Sequence, residues 1–384
     1  MITIKLNRIY LDYNATSPLA PSVKGWLAKG DLLWANPAAQ HSSGKKTRAR
    51  LDEVAQLLHG TFKISTSVHS LVFHSGATEG INSWVLGHAL QEKILFAYSP
   101  LDHSCVRAQA ERLKALGHET LELPVDQEGN LLLDKATELL KSSGAAKKLI
   151  NWTWVHNELG TVWPLADAVK LKTATQAVVH VDAVQAPGKV ADWNQLLPEL
   201  DAYTFSGHKF GALKGIGFSF IAKTSPVKPL LLGGGQQDGA RSGTENVMGA
   251  WSIKLALEDL ALEFNPVMQG QAIQQLRTFM DAQLQGKGRR MAKGAQQLNL
   301  NTIMIVLDKF PSDMSLPLFD LAGLEVSAGS ACASGTAKAN PVLIALGEQK
   351  LARHGLRFST SWKLDQEALV HLESRFSQVF EKIK

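Results

Sequence analysis

Cysteine is nearly missing from this chain: 384 residues carry two, Cys105 and Cys332. Disulfide staples are therefore excluded as the basis of the fold. No CxxC zinc or redox pair exists, and a reducing cytoplasm is the simplest expected location. Long apolar runs are missing too. None reaches the roughly 18 residues of a membrane span. The start, Met1-Ile2-Thr3-Ile4-Lys5-Leu6-Asn7-Arg8, lacks the apolar stretch of a signal peptide. A strong surplus of one charge is also missing, since the net charge is only +5. That permits anionic ligands but announces no nucleic-acid binder. The one basic cluster, Lys287, Arg289, Arg290 and Lys293, has no interleaved aromatics and reads as a solvated loop.

What is present is a globular composition, 45% hydrophobic and 20% charged, on a chain too long for one ordinary core. Two domains are expected. Short apolar runs alternate with helical patterns, as an α/β fold requires. Strands are expected at 71–74, 94–97, 149–155, 177–181, 202–205 and 217–221, with a helix at 81–90 after the first. Polar and special residues cluster where these strands end, which is where open α/β sheets place ligands. From about Pro266 the character changes. A polar amphipathic helix is expected at 271–284, a strand at 301–307 and a closing helix at 366–380. The division that follows is a large domain over 15–262 and a smaller α+β domain made of 1–14 and 263–384.

The most informative stretch is Ala202-Tyr203-Thr204-Phe205-Ser206-Gly207-His208-Lys209-Phe210-Gly211. A lysine where a strand ends and the backbone turns is a candidate Schiff-base lysine. Ser206 and His208 beside it suit a phosphate. Together they suggest pyridoxal 5'-phosphate (PLP), although an exposed lysine on a glycine-rich turn reads the same way. PLP needs a carboxylate for its ring nitrogen, donors for its phosphate and a flat group on one face. Asp182 ends a strand near the apolar interior, where a carboxylate needs a cation such as a pyridinium. A helix cap is the plain alternative. Gln185 lies close enough to reach the 3'-oxygen. Backbone N–H groups at Gly76 and Ala77, with the Thr78 hydroxyl, form an anion site or an ordinary helix start. His103 offers a stacking ring or is simply structural. The run from Ser327 to Ala337 is nearly all small residues around Cys332, as in a mobile loop. That cysteine is either its purpose or incidental. Cys105, close behind His103 in an expected turn, is assigned to packing.

In this order the motifs resemble the class V aminotransferase family of PLP enzymes, and within it the cysteine desulfurases. The matching blocks are Tyr10-Leu11-Asp12-Tyr13-Asn14-Ala15-Thr16, Ala35-Asn36-Pro37, Ser75 to Glu79, His156-Asn157-Glu158-Leu159-Gly160-Thr161, Val181 to Gln185, Ser206 to Lys209, Arg241-Ser242-Gly243-Thr244-Glu245-Asn246 and Leu356-Arg357-Phe358-Ser359. The resemblance implies the PLP-dependent transferase fold of type I, a mostly parallel central sheet flanked by helices. It implies conversion of L-cysteine to L-alanine, with sulfur taken by Cys332 as a persulfide. Delivery would be to a sulfur-acceptor protein of iron–sulfur cluster, thio-cofactor or tRNA biosynthesis. Residue by residue it implies Lys209 on the cofactor aldehyde, Asp182 on the ring nitrogen and Gln185 on the 3'-oxygen. His103 would stack on the ring and move protons. Gly76, Ala77, Thr78, Ser206 and His208 would hold the phosphate. Thr244 would reach the phosphate of a neighbouring subunit, hence a homodimer. Asn157, also against the cofactor, and Arg357 would hold the substrate carboxylate, the latter through its fork. No metal and no direct nucleic-acid contact are implied.

One segment departs from the family. Where it usually carries a Glu followed by an Arg, Gln237 and Asp238 stand here. The competing readings are a selenocysteine lyase, a class V aminotransferase, or a catalytically idle protein of this fold acting as a binding partner.

Overall fold

The structure, a computed structural model, describes residues 8–329 and 339–383. A short first strand, β1 (Ile9–Tyr10), precedes two helices, α1 (Pro21–Lys29) and α2 (Ser42–Thr61). Strand and helix then alternate: β2 (His69–His74), α3 (Ala77–Ala89), β3 (Leu95–Tyr98), α4 (Ser104–Ala115), β4 (Glu119–Glu122), α5 (Leu133–Ser142), β5 (Lys148–Thr153), α6 (Leu165–Thr175) and β6 (Val178–Asp182). Two further strands, β7 (Ala202–Ser206) and β8 (Gly217–Ala222), lead to the helix α7 (Val247–Glu263).

Strands β2 to β8 form one sheet in the order β2-β8-β7-β6-β5-β3-β4. From β7 to β4 the neighbours are parallel, while β8 runs antiparallel to both β2 and β7. The sheet is mixed and mostly parallel. Side chains alternate between its faces. Leu95 and Ala97 join the core that contains Val54 and Leu58 of α2. Phe96 and Tyr98 join the opposite one, with Trp84 of α3 and Val106 of α4. Covered on both sides, β5 to β8 are almost wholly buried, which is why they read as apolar runs. The edge strand β4, Glu-Thr-Leu-Glu, is only half buried and has no such signature.

A second core follows. Helix α8 (Pro266–Gln283) leads through β9 (Gly288–Arg290), β10 (Thr302–Leu307), α9 (Ser312–Leu321), β11 (Leu324–Glu325), α10 (Pro341–Ala345) and β12 (Gly355–Ser359) to α11 (Gln366–Phe380). Strands β12-β10-β9 form an antiparallel sheet, and β11 pairs in parallel with β1. Leu11, Leu276, Ile305, Phe319, Phe358 and Phe376 pack together there. Helix α8 starts earlier than the expected residue 271, because Asn265 caps Val267 and Met268 and Pro266 opens the first turn. The basic cluster is not a merely solvated loop. Arg289 pairs with Glu348, Arg290 and Lys293 with Asp281, and Lys287 Nζ donates to Phe380 O at 2.6 Å. Two carboxylates, Glu348 and Asp281, offset half of its charge.

Candidate active site

The carboxyl ends of β2, β5, β6 and β7 meet at one rim, which opens into a cavity of about 530 Å³. Six of the eight sequence blocks contribute to its wall; those at 35–37 and 241–246 do not line it. Gly76, Ala77 and Thr78 come from the start of α3, and His103 from the start of α4. Asp182 ends β6 and Gln185 follows it. Ser206 ends β7, and His208 and Lys209 stand on the short helical turn beyond. Asn157 and Arg357 close the side facing the second core. One expected site residue is not among those that line the cavity. Thr244 is exposed and away from the cavity lining, and Cys332 lies outside the described residues.

Lys209 Nζ donates to the carbonyls of Asn14 at 2.7 Å and Ala15 at 2.9 Å. Asp182 is buried, and burial raises its pKa to about 6 against the Val184 N–H and the charge of Lys209. No side chain among the described residues forms an ion pair with it. A buried carboxylate without an ion pair fits the protonated nitrogen of a pyridine ring.

Helix α3 begins at Gly76 with no side-chain cap, so its first N–H groups stay available to an anion. The Thr78 and Ser206 hydroxyls line the same cavity. Glu79, in that first turn, would repel a phosphate were it unpaired. Burial raises its pKa, but Arg241 at 2.9 Å and Ser75 outweigh this and hold it at about 2. The donor set thus fits a phosphate, and with Asp182 and Lys209 the residues present fit PLP. No group of three or more His, Cys, Asp or Glu among the described residues is arranged to hold a metal ion.

His103 caps α4. Its Nδ1 accepts from the Cys105 N–H at 3.3 Å and lies 3.1 Å from Cys105 Sγ. That places the proton of the neutral ring on Nε2. Burial and the Lys209 charge lower its pKa, favouring the neutral form. Cys105 packs against the α3–α4 core as expected, yet its turn is the first turn of α4, and it also lines the cavity. Burial pushes its thiol up to about 12.

Arg357 is buried. Its Nη2 donates to Asp12 Oδ1 at 2.5 Å and its Nη1 to Asn157 O at 3.2 Å, while Nε is buried with no partner among the described residues. Arg357 lines the cavity, and a guanidinium there suits a carboxylate ligand.

Sequence reasoning missed the layer beneath. Asp102 accepts from Thr153 Oγ1 at 2.6 Å, Asn151 Nδ2 at 3.0 Å and Ser99 N at 3.0 Å. From Asn151 a buried polar ladder crosses to His180 (3.0 Å), Thr204 (2.7 Å), Ser219 (2.8 Å) and His74 (2.9 Å). One rung comes from each of five adjacent strands, β5, β6, β7, β8 and β2. Buried polar networks of this kind hold a core in one arrangement. The alternating polar positions Asn151, His180 and Thr204 were the available signal.

Comparison with known proteins agrees with this geometry. The family model for class V aminotransferases matches residues 9–369. A cysteine desulfurase from Cereibacter sphaeroides is 32% identical over 369 positions, covering 93% of this chain and 91% of that protein. The cysteine desulfurase IscS of Dictyoglomus turgidum is 29% identical and covers 98% and 95%. Among solved structures, a NifS-like protein superposes with a TM-score of 0.84 at 25% identity over 98% of this chain and all of that one. SspA in complex with cysteine gives 0.75 at 25% identity, covering 92% and 99%.

Proposed function

Because the chain belongs to the class V aminotransferase family, we propose that it is a PLP-dependent cysteine desulfurase. It takes L-cysteine to L-alanine and keeps the sulfur on Cys332 as a persulfide. The observation that carries this reading is the meeting of Lys209, Asp182 and Arg357 in the wall of one cavity. An amine, a buried carboxylate and a guanidinium are the groups that a pyridine aldehyde and an amino acid require. When bound, PLP supplies an electron sink for charge released at the substrate α-carbon.

The chain's own residues divide the remaining work. Asp182 keeps the ring nitrogen protonated, and Gln185 donates to the ring oxygen. Gly76, Ala77, Thr78, Ser206 and His208 hold the phosphate, and His103 covers the ring. Arg357 and Asn157 orient the substrate by its carboxylate. Lys209 Nζ holds the cofactor at rest and moves the proton at the substrate α-carbon.

His103 accepts the Cys332 proton, and the thiolate attacks the substrate sulfur. An S–S bond forms as the Cβ–Sγ bond breaks, and the released electron pair with one proton completes the methyl group of alanine. Gly329 lines the cavity three residues before Cys332. That much chain reaches roughly 10 Å, which supports Cys332 as the acceptor.

Thr244 would reach the site of a second copy across a homodimer contact. Leu231 and Leu232, exposed just before this segment, support such a contact. The homodimer would act in the cytoplasm and pass sulfur to a scaffold or thiolation protein. Residues 15–262 would form the cofactor domain, with 1–14 and 263–384 as the second domain.

The deciding experiment supplies PLP-loaded protein with L-cysteine and a thiol reductant. Alanine and sulfide should appear in equal amounts, and Cys332→Ser should release neither. Normal turnover by that variant would exclude Cys332.

A further inference from the structure

Lys189 is a buried lysine that no step of the reaction uses. It is 3% exposed, four residues after Gln185. Burial, reinforced by the charges of Lys209 and Arg357, pushes its pKa well below the ordinary lysine value. A well-packed apolar side chain would stabilise this position better than a buried lysine with no carboxylate partner among the described residues. Its presence therefore asks for a reason outside stability.

Its hydrogen bond supplies one. Among the described residues the acceptor of Lys189 Nζ is Gln185 Oε1. The other end of that amide, Nε2, donates to Asn14 O at 3.0 Å. The Asn14 carbonyl only accepts, so that contact fixes Nε2 on its side and leaves Oε1 as the acceptor for Lys189 Nζ. Gln185 lines the cavity beside Asp182, and Asn14 O also receives Lys209 Nζ. The two lysines are thus linked through one side-chain amide and one backbone carbonyl.

We propose that Lys189 is a positioning residue that holds the Gln185 amide with its Nε2 end available to the ring oxygen of the bound cofactor. This rests on the PLP reading of the cavity. Donation from Lys189 Nζ to Oε1 draws electron density through the amide and strengthens Nε2 as a donor. A stronger donor favours the deprotonated ring oxygen. The nitrogen that joins Lys209 to the cofactor then gives up its proton at lower pH.

The test follows the visible absorption of PLP-loaded protein across pH. Wild type is compared with Lys189→Met, Lys189→Arg, Gln185→Met and the Lys189→Met/Gln185→Met double variant. PLP affinity and the melting temperature of each cofactor-free protein are measured alongside. Lys189→Met should raise the absorption midpoint by about one pH unit, a tenfold change in proton affinity. It should also weaken PLP roughly tenfold, while melting at or above the wild-type temperature. In the Gln185→Met background the shift should vanish, because Lys189 acts through that amide.

An unchanged midpoint in Lys189→Met overturns the proposal. So does a shift that persists undiminished without Gln185, which would mark a direct field effect. Lys189→Arg keeps a buried donor and should keep the wild-type midpoint. Should Lys189→Met fail to fold, a Lys189→Arg midpoint displaced as far as that of Gln185→Met overturns the proposal. A wild-type protein that takes up no PLP overturns the cavity reading and this proposal together. A normal wild type with unresponsive Lys189 variants overturns the proposal alone.

Discussion

Lys209 and Asn14, 195 positions apart, meet through a hydrogen bond of 2.7 Å from Nζ to the backbone carbonyl. The turn that receives Lys209 also ties the two cores together. Asn14 Nδ2 donates to Asn157 O at 3.0 Å and to Thr302 Oγ1 at 2.8 Å, and Asn301 Nδ2 donates to Asn14 Oδ1 at 3.0 Å. The amine is therefore held at the seam between the sheet and the second core, where a bound amino acid would meet groups from both.

If Lys209 carries the cofactor, borohydride reduction of the PLP-loaded protein should fix one cofactor to one lysine. Mass analysis should find it on the peptide containing Lys209. Lys209→Ala should lose both the visible band and the label. A label that moves to another lysine at full yield would exclude Lys209.

Asp182 predicts a trade between stability and binding. Its pKa is raised from 3.8 to about 6 by burial. Between those values the folded, cofactor-free protein holds a proton that the unfolded chain has released. Stability therefore falls as pH rises through that window, and above it the full cost is present. The cost is on the order of 3 kcal/mol for about two pH units. Cofactor-free Asp182→Asn should resist urea better than wild type at about pH 8 and equal it at about pH 4. It should also bind PLP poorly. Urea midpoints that differ equally at both pH values would show that the charge at 182 is not the cause.

Arg357 makes a kinetic prediction. Asp12 and Asn157 hold two of its nitrogens, and the guanidinium lines the cavity. A charge-assisted hydrogen bond is worth about 1.5–3 kcal/mol. Arg357→Ala should therefore raise KM for L-cysteine roughly ten- to a hundredfold with a smaller change in kcat. Arg357→Lys keeps the charge but not the fork and should fall between. An unchanged KM removes Arg357 from the carboxylate site.

What the sequence revealed, and what it hid, follows from the range of each interaction. Strands β5 to β8 were legible because burial on both faces leaves only apolar side chains. Helix α11 was legible at both ends because its apolar period is regular and Asp365 caps Ala368. Lys209 stood out because a strand, a turn and glycines announce it locally. Asp12 with Arg357, 345 positions apart, has no local pattern to announce it. Lys189 gave no signal because a lysine is ordinarily solvated, and only the fold shows that this one is not. Cys105 was judged by its neighbours in sequence, whereas the start of α4 places it both in a core and on the cavity.

The departure at Gln237 has a local explanation that can be tested. Strand β2 is the edge of the large sheet, next to β8 alone. Gln237 closes part of that edge: its Oε1 accepts from Phe73 N at 2.6 Å, and its Nε2 donates to Phe73 O at 2.9 Å. A glutamine can serve both groups, much as a neighbouring strand would; an ionised glutamate can only accept. Its residue pays for the position with backbone strain, since Gln237 and Asp238 have φ of 52° and 54°. Gln237→Glu should leave Phe73 O without its donor and destabilise the protein by roughly 1–2 kcal/mol at pH 8. The loss should shrink below about pH 4, where a protonated carboxyl can donate again. Urea unfolding at the two pH values measures this. A loss of equal size at both would mean that the amide pairing with Phe73 is not what position 237 contributes.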